Sequence, residues 1–356
     1  MHIAFSFNLK DDSACVDDAA EPPSEPPSEP PGILPDDRYA EWDDIHTVKA
    51  VERALASRHR VTLVDATLDA FETFRRLRGR VDLVFNIAEG LHGASREGQI
   101  PALLDMLEIP YTGSAPLTLG LCLDKRRSKE ILSYNGVPTP RFWTVTALGE
   151  LPRRLTYPLM VKPTLEGSSK GVTDHSLVRN FVELRRQVAW VLDTYRQPAL
   201  IEEFLPGREF TVAMLGNGSE LRVLPIVEIN FATLPQGVNP IYSYEAKWVW
   251  DREEDPLQIF TCPAQLDAAL QREIEAVCRR AFTALDCRDW CRIDVRLDAG
   301  GHPQVIELNP LPGILPRPEQ NSCFPKAARA AGLSYDAMIL AVVDAAARRL
   351  GIGGSA

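Results

Sequence analysis

The chain has 356 residues, of which 45% are hydrophobic and 25% are charged, as is usual for a globular protein. At about 100–200 residues per domain, this length predicts two or three domains. Lys and Arg number 39 and Asp and Glu number 49, which gives a net charge of −10. This acidic balance argues against broad binding to a nucleic-acid backbone, which requires a basic surface.

Neither the apolar stretches nor the cysteines indicate a membrane or secreted protein. The longest uncharged stretch, 109–123, is broken by prolines and glycines and is shorter than the roughly 20 apolar residues of a membrane span. The start lacks the features of a secretory signal. Seven cysteines, an odd number without a CxxC pair, argue against a disulfide framework or a cysteine zinc site. We therefore predict a cytoplasmic protein with reduced thiols.

In its first third the chain alternates between apolar runs and helical patterns, which indicates an α/β layer. A Pro-rich repeat, EPPSEPPSEPP at 21–31, interrupts this part. It predicts an extended, unpacked insertion, with a polyproline II ligand as the alternative. Strands are predicted at 2–7, 61–64 and 81–86, and helices at 41–58 and 97–108.

The rest of the chain predicts further strands and three longer helices. Gly216-Asn217-Gly218 carries an Asn-Gly turn signal, which predicts a hairpin. Strands are predicted at 142–145, 159–162, 200–204, 210–215, 221–229, 291–297 and 304–308, and helices at 176–193, 264–285 and 334–350.

The segment CRIDVRLDAGGHPQVIELNP predicts two antiparallel strands joined by a turn at 300–301. In this register Asp294 is opposite Glu307. Arg292 is then opposite Asn309. Because alternate residues of a strand share a face, the other face is predicted to enter a core through Ile293, Val295, Leu297, Ile306 and Leu308.

Two carboxylates directly opposite each other repel, and a cation between them removes that cost. Asp294, Glu307 and the amide oxygen of Asn309 are hard ligands of the kind that suit Mg²⁺ together with substrate phosphates. A solvated charged face, or ion pairs with arginines, is the alternative interpretation of this segment.

A polar loop, EGSSKG at 166–171, follows the strand that ends at Lys162. Small residues let backbone N–H groups approach a phosphate, and the hydroxyls of Ser168 and Ser169 add donors. An ordinary flexible turn is the alternative. The loop also matches the hydrolase pattern GxSxG, but neither later histidine is well placed to act as its distant base.

Six motifs in order resemble the D-alanine–D-alanine ligase family of the ATP-grasp superfamily, from about Val81 to the C-terminal helix. This resemblance implies an α/β protein with the ATP-grasp fold: an N-terminal Rossmann-like domain (1–113) and two ATP-binding α+β domains (114–200 and 201–356). The motifs are EGLHGASREGQ with IPYTGS (89–99, 109–114), LDKRRSK (123–129), VKPTLEGSSKGV (161–172), LIEEFLPGREFTVAML (200–215), YSYEAKW (242–248) and RIDVRL with VIELNPLPG (292–313).

The resemblance also implies which residues bind ATP and metal. Lys125 and Lys162 resemble the phosphate-binding lysines, the loop 166–171 resembles the flap over the phosphates, and Glu209 resembles the ribose-binding acid. Two Mg²⁺ ions are implied at Asp294, Glu307 and Asn309, with Mn²⁺ as an alternative. The implied ATP-binding residues are Lys125, Lys162, Glu166, Gly167, Ser168, Ser169, Glu202, Glu203, Phe204, Leu205, Glu209 and Lys247.

The implied activity is ATP-dependent joining of a carboxylate to an amine through an acyl phosphate. Arg292 and the backbone N–H of Gly313 match the family's donors to the tetrahedral oxyanion, and Ser168 is the third implied catalytic residue. The partners are small amino-acid-like substrates, and a homodimer is compatible with the family. Candidate substrate residues are His92, Glu97, Trp248, Ser322 and Cys323.

Three departures from the family surround the predicted amino-acid pocket. No glutamate can be assigned to the turn after the first strand, where the family has one that binds an ammonium. Trp248 stands where a Tyr hydroxyl is expected, and the loop 92–98 is shorter than usual. We therefore expect an altered substrate pair. A true cell-wall D-alanine–D-alanine ligase and a non-catalytic ATP-binding protein are the alternatives.

Overall fold

The computed structural model describes residues 1–10, 40–251 and 256–352. Helices and strands alternate to form three sheets, as the sequence predicts for an α/β protein. The predicted Pro-rich insertion at 21–31 lies outside the described residues.

The first sheet is parallel and has β1 at its centre, between β2 and β3. Ile3 and Phe5 enter one core, whereas Ala4 between them enters another. Burial on both faces explains why these strands are continuous apolar runs. The elements of this unit are β1 (His2–Phe7), α1 (Ile45–Ala56), β2 (Arg60–Asp65), α2 (Ala70–Leu77), β3 (Leu83–Asn86) and α3 (Gln99–Met106).

Two short helices, α4 (Pro116–Leu123) and α5 (Lys125–Tyr134), lead out of the first unit. Asp124 separates them, and its side chain accepts the N–H groups of Arg126 and Arg127, which caps α5. Cys122 and Leu132 share a core with the third sheet. The two helices therefore pack on the C-terminal part of the molecule, although they directly precede the second sheet in sequence.

The second sheet is antiparallel with the order β4-β7-β5-β6. The predicted helix at 176–193 was wrong in its first turn, because residues 177–178 pair with β5 and Asn180 caps a helix that starts at Phe181. The predicted domain boundary after residue 200 falls within β7. The elements are β4 (Phe142–Val145), β5 (Leu159–Pro163), β6 (Leu177–Val178), α6 (Phe181–Tyr195) and β7 (Ala199–Glu203).

The third sheet has the order β11-β10-β8-β12-β13, with β9 also paired to β8. The predicted hairpin after β8 is confirmed, but its turn is longer than Asn-Gly alone and includes a 3₁₀ turn at Gly218–Glu220. The single strand predicted at 221–229 is two strands, with a break between them. The elements are β8 (Glu209–Leu215), β9 (Arg222–Val223), β10 (Val227–Ile229), β11 (Phe260–Thr261), α7 (Ala268–Ala284), β12 (Trp290–Leu297) and β13 (Pro303–Asn309).

The last two helices, α8 (Cys323–Ala330) and α9 (Tyr335–Leu350), join the first and third sheets. The ring of Trp290 on β12 lies 5.8 Å from Phe85 on β3 and 5.6 Å from Phe324 on α8, between ring centroids. Across the described ranges, no single helix has the length and apolar composition of a membrane span. Helices α8 and α9 have them only when taken together, and this pair is bent by 97°.

Candidate active site

A cavity of about 370 Å³ lies where the three sheets meet. Twenty-one of the twenty-two predicted site residues line it, from Glu97 in the first unit to Cys323 at the start of α8. The exception is His92, which is exposed and whose backbone carbonyl accepts a hydrogen bond from Gln99 at 2.7 Å. The structure therefore does not bring His92 to the predicted substrate site.

The predicted register of β12 and β13 is confirmed at the acidic positions. Asp294 pairs with Glu307, and Arg292 pairs with Asn309. A bulge follows Asp294, so that Val295 pairs with Val305. The predicted core position of Ile306 was therefore wrong: Val305 occupies the core, and Ile306 lines the cavity beside Glu307.

The two opposed acids already face cations of the protein. Glu307 lies 3.3 Å from Lys125 Nζ, and Arg292 donates to both oxygens of Asp294 at 3.0 and 2.9 Å. Burial opposes ionisation of Glu307, but Lys125 and Lys162 outweigh it and hold its pKa well below the usual range. An ionised carboxylate, its opposed partner and a neighbouring amide oxygen on Asn309 form a donor set that fits Mg²⁺.

Glu202 joins two buried lysines. Its carboxylate lies 2.5 Å from Lys162 Nζ and 2.9 Å from Lys129 Nζ. Burial opposes ionisation of Glu202, but the two lysines outweigh it and lower its pKa to about 2. The Glu202 carboxylate therefore fixes Lys162. Lys129, which is fully buried, was missed among the site residues because nothing in its motif shows that it reaches Glu202.

The loop 166–171 is held in an uncommon backbone conformation over the cavity. Ser168 and Ser169 have φ angles of 50° and 61°, a left-handed region that non-glycine residues rarely adopt. Ser169 Oγ donates to the carbonyl of Tyr242 at 3.0 Å, and Trp248 Nε1 donates to the carbonyl of Ser168 at 3.1 Å. The loop is thus fastened to the segment 242–248, which contains the predicted ATP-binding residue Lys247.

Lys247 and Trp248 replace the hydroxyl network that the family resemblance leads one to expect. Lys247 Nζ donates to Ser168 Oγ at 3.3 Å and lies 5.1 Å from the centre of the Trp248 ring. Burial, reinforced by Arg292, lowers the pKa of Lys247 to about 8. Within this segment, 245–249 form a π-helical turn, a feature often found at functional sites.

Glu41 is another site residue that sequence reasoning missed. Its carboxylate accepts the N–H of Gly167 at 3.0 Å, two hydrogen bonds from Arg96 at 2.9 Å and one from Lys170 at 3.1 Å. A Cβ on Gly167 would collide with that carboxylate. Glu41 follows residues 11–39 and precedes α1. No local signal in the sequence marks Glu41, because its partners lie 55 to 129 residues further along the chain.

At the other end of the cavity, Arg296 contacts an aromatic ring and a carboxylate. Its guanidinium lies 4.6 Å from the centre of the Phe204 ring and 2.8 Å from a carboxylate oxygen of Glu209. Leu205 is buried beside them, and Glu203 ends strand β7 at the cavity wall. This end offers an apolar surface next to a carboxylate.

Gly313 and Ser322 are linked at the base of α8. Ser322 Oγ donates to the Gly313 carbonyl at 2.9 Å and accepts the N–H of Leu315 at 3.2 Å. In the described part of the chain, the Gly313 N–H has no acceptor. Cys323 lies next to Ser322, and burial raises the pKa of its thiol to about 12. This geometry leaves the Gly313 N–H available and fixes the peptide that carries it.

Comparisons with known proteins identify the family of this chain. The family model for the D-ala D-ala ligase C-terminus matches residues 131–344. A D-alanine–D-alanine ligase of Bordetella petrii is 35% identical over 325 residues, 89% of this chain and 91% of that protein. An uncharacterized protein of Sinorhizobium fredii, y4sG, is 38% identical over 283 residues, 80% of each chain.

Solved structures share the fold. The D-alanine–D-alanine ligase of Bacillus anthracis complexed with ATP superimposes with a TM-score of 0.68 and 23% identity, covering 98% of both chains. The VanG D-Ala:D-Ser ligase of Enterococcus faecalis superimposes with a TM-score of 0.70 and 22% identity, covering 97% of this chain and 99% of that one. The predicted ATP-grasp fold is confirmed. The chain belongs to the D-alanine–D-alanine ligase family, whose ATP-grasp enzymes use ATP to form an amide bond between small amino-acid substrates.

Proposed function

We propose that this chain uses ATP to phosphorylate the carboxylate of one small amino-acid-like substrate and then joins its acyl group to the amine of another. One observation carries the proposal: the opposed acids Asp294 and Glu307, the lysines Lys125 and Lys162 and the side chain of Arg292 all line one cavity. Phosphorylation converts a poor electrophile into a reactive acyl group, and positioned positive charge stabilises the phosphoryl group in transit.

The reaction has two balanced steps. In the first, a carboxylate oxygen of the donor bonds to the γ-phosphorus and ADP leaves. In the second, the acceptor nitrogen bonds to the acyl carbon, the nitrogen loses a proton, and inorganic phosphate leaves with the former carboxylate oxygen. The chain's own groups bind the phosphates, hold the donor carboxylate and stabilise the oxyanion of the second step.

The proposed nucleotide site runs from Arg296 to the loop 166–171. Phe204 and Leu205, with the backbone after Glu203, would contact adenine, and Glu209 would accept a ribose hydroxyl. Lys125 and Lys162 would bind phosphate oxygens. Their carboxylate partners support this role, because Glu307 and Glu202 hold both ammonium groups at the cavity wall. Glu166, Gly167, Ser168, Ser169 and Lys247 would cover the phosphates.

Asp294, Glu307 and Asn309 would hold two Mg²⁺ ions, with Mn²⁺ as an alternative. When bound, the metal would neutralise phosphate charge. The donor chemistry supports this assignment, since two carboxylates and an amide oxygen on neighbouring strands match the ligands that Mg²⁺ prefers. Arg292, which pairs with Asp294, would lie at the junction of metal and substrate.

Arg292 and the Gly313 N–H are the proposed donors to the oxyanion, with Ser168 as a further catalytic group. The available Gly313 N–H supports this role. Ser322 would then be a positioning residue that orients Gly313, rather than a direct ligand of the acceptor carboxylate, because its hydroxyl hydrogen is directed to the Gly313 carbonyl. Cys323 and Trp248 would line the acceptor pocket.

The substrate pair is proposed to differ from two D-alanines. Support comes from Trp248 in place of a hydroxyl-bearing aromatic and from Glu41, whose two oxygens are already bound by Arg96, Lys170 and Gly167. A cell-wall D-alanine–D-alanine ligase is the second candidate, favoured by the identity to the Bordetella enzyme. A non-catalytic ATP-binding protein is disfavoured, since binding alone does not require an oxyanion donor.

We place the enzyme in the cytoplasm, as a homodimer that acts on small molecules and not on nucleic acids. The three sheets would mark its domains, at 1–113, 114–203 and 204–356. The sequence predicts the second boundary after residue 200, but β7 belongs to the second sheet and ends at Glu203.

The test is product formation with Mg²⁺-ATP and amino acids, D and L, singly and in pairs, with detection by mass. The proposal expects ADP release that depends on one acid–amine pair and an amide product of matching mass. D-alanyl-D-alanine from D-alanine alone would favour the cell-wall ligase. ATP binding without turnover for any pair would favour a binding protein.

A further inference from the structure

Arg296 is a buried cation that contacts the whole connection from β7 to β8. Only 5% of it is exposed, although it lines the cavity. Its Nε donates to the carbonyl of Gly207 at 3.2 Å, and its guanidinium lies 2.8 Å from a carboxylate oxygen of Glu209, the first residue of β8. The guanidinium carbon lies 4.6 Å from the centre of the Phe204 ring and 5.0 Å from that of Phe231. One planar side chain therefore contacts the start, the middle and the end of this connection.

The pairing of β12 with β8 fixes the guanidinium in this place. Arg296 is directly opposite Glu209 in this antiparallel pair, so their side chains share one face of the sheet. The next residue, Leu297, accepts the N–H of Gly207 at 3.0 Å and donates to the carbonyl of Arg208 at 2.9 Å. A Cβ on Gly207 would collide with Leu297. The connection is therefore held against β12 by its backbone as well as by the Arg296 side chain.

The Glu209 carboxylate depends on this guanidinium. Within 1–10, 40–251 and 256–352, Arg296 is the only residue that donates a hydrogen bond to the Glu209 side chain. Of the other charged groups nearby, Asp294 repels the carboxylate, and Lys162 is bound by Glu202. Because a buried acid is normally paired, a neutral residue at position 296 would leave Glu209 without the contact that orients it.

We infer that Arg296 is a positioning residue of the nucleotide site, which holds the Phe204 ring against the base and the Glu209 carboxylate toward the ribose. The inference rests on the proposed function, in which these two residues contact adenine and a ribose hydroxyl. A rigid group that orders both contacts before the nucleotide binds reduces the conformational entropy lost on binding. The chain should therefore prefer nucleotides with a complete ribose, and this preference should depend on Arg296.

Nucleotides that differ by one oxygen atom measure this preference. ADP, 2′-deoxy-ADP and 3′-deoxy-ADP are each titrated into the full chain with Mg²⁺ and without amino acids, and binding is measured by calorimetry. We expect ADP to bind at least ~10-fold more tightly than one of the deoxy nucleotides, because a hydrogen bond from a hydroxyl to a carboxylate is among the strong ones. The deoxy nucleotide that binds more weakly identifies the hydroxyl that contacts Glu209.

Arg296→Met removes the cation and leaves an apolar side chain between the two rings. In this variant the preference for a complete ribose should fall below about threefold. Arg208→Met is the matched control, because Arg208 also pairs with a glutamate, Glu228, and also lies over a ring, that of Phe210, but is exposed. The control should keep the preference of the unmodified chain. An undiminished preference in Arg296→Met would overturn the inference.

Two further variants distinguish positioning from a merely structural role. Arg296→Lys keeps the charge but not the planar group that donates in two directions between two rings, so it should give an intermediate preference. In a Glu209→Gln background, Arg296→Met should reduce the preference no further, because both changes remove the same contact. Independent losses would overturn the inference. If Arg296→Met does not fold, Arg296→Lys carries the test, and an undiminished preference in that variant would also overturn it.

The nucleotide titrations also separate this inference from the proposed function. Binding is measured without turnover, so a ribose preference that depends on Arg296 would support the positioning role even if no amino-acid pair gave an amide. Equal binding of ADP and both deoxy nucleotides would overturn the positioning role and leave the nucleotide site intact. Failure of the unmodified chain to bind ADP would overturn the nucleotide site and the positioning role together.

Discussion

Lys170 Nζ lies 3.1 Å from a carboxylate oxygen of Glu41, and this ion pair joins the loop 166–171 to the first α/β unit. The other Glu41 oxygen accepts the Gly167 N–H. One buried acid therefore holds both ends of the loop GSSKG. The contact explains how the loop keeps its uncommon backbone, because the serines between these two residues are fixed on either side.

Glu41→Gln tests this role. The amide keeps the size of the side chain but removes the charge shared by Arg96 and Lys170, so the loop should open more often. We expect amide hydrogen exchange at 166–171 to accelerate at least ~10-fold and ligation to slow by a similar factor. Glu72→Gln, on the exposed surface of α2, is the matched control. Unchanged exchange in Glu41→Gln would contradict the anchoring role.

Asp294→Asn and Glu307→Gln test the metal assignment. Each change removes a hard ligand, and each also relieves repulsion between opposed acids. ATP turnover should fall by at least ~10³-fold, as expected for the loss of several kcal/mol of charge stabilisation, while circular dichroism shows that the chain stays folded. Full turnover by either variant would show that the assignment is wrong.

Glu202→Gln tests the buried charge cluster. Loss of this carboxylate leaves Lys129 and Lys162 without their common counter-ion, which should lower the free energy of unfolding by about 3–5 kcal/mol. Glu130→Gln, in an exposed pair with Arg126, should change it by only about 0–1 kcal/mol. Urea denaturation measures the free energy of unfolding of both variants. Equal effects would contradict the assignment of Glu202 as the common counter-ion of two buried lysines.

Glu202 also predicts how the free energy of unfolding depends on pH. The pKa of Glu202 is about 2 in the folded chain and 4.5 as its ordinary value. A lowered pKa stabilises the fold above the ordinary value, and this contribution is lost as the pH falls from about 4.5 toward 2. The free energy of unfolding should therefore decline less steeply over this interval in Glu202→Gln than in the unmodified chain.

Lys247 predicts proton uptake when nucleotide binds. Its pKa of about 8 means that roughly half of the molecules lack this charge at pH 8. Phosphate oxygens beside the ammonium should raise that pKa, so binding of an ATP analogue should take up protons. Calorimetry in buffers of different ionisation enthalpy measures the uptake. Lys247→Arg should bind the analogue with less proton uptake, because an arginine is already protonated at pH 8. Equal uptake in both proteins would refute a contact between Lys247 and the phosphates.

Local pattern was enough to predict the acidic pair but not its surroundings. Alternation along β12 and the Gly300-Gly301 turn place Asp294 opposite Glu307 without any knowledge of the rest of the fold. The bulge after Asp294 is different, because it depends on how both faces of the sheet pack. It moves Ile306 to the cavity wall, which periodicity alone could not predict.

Contacts between segments that are far apart in sequence could not be predicted from local pattern either. Glu41 and Gly167 are 126 residues apart in sequence, and no spacing rule connects them. Residues 11–39 also separate Glu41 from β1 in the sequence. The same limit applies to α4 and α5, which precede the second sheet in sequence but share a core with the third.

Isotope transfer follows the oxygen atoms of the donor carboxylate through the reaction. The donor found in the amino-acid screen is labelled with ¹⁸O in its carboxylate and allowed to react with Mg²⁺-ATP and the acceptor. An acyl phosphate requires that one donor oxygen leaves with phosphate, so each amide bond should yield one ¹⁸O in inorganic phosphate, in equal amount to ADP. Amide formation with unlabelled phosphate would contradict activation of the donor carboxylate by ATP.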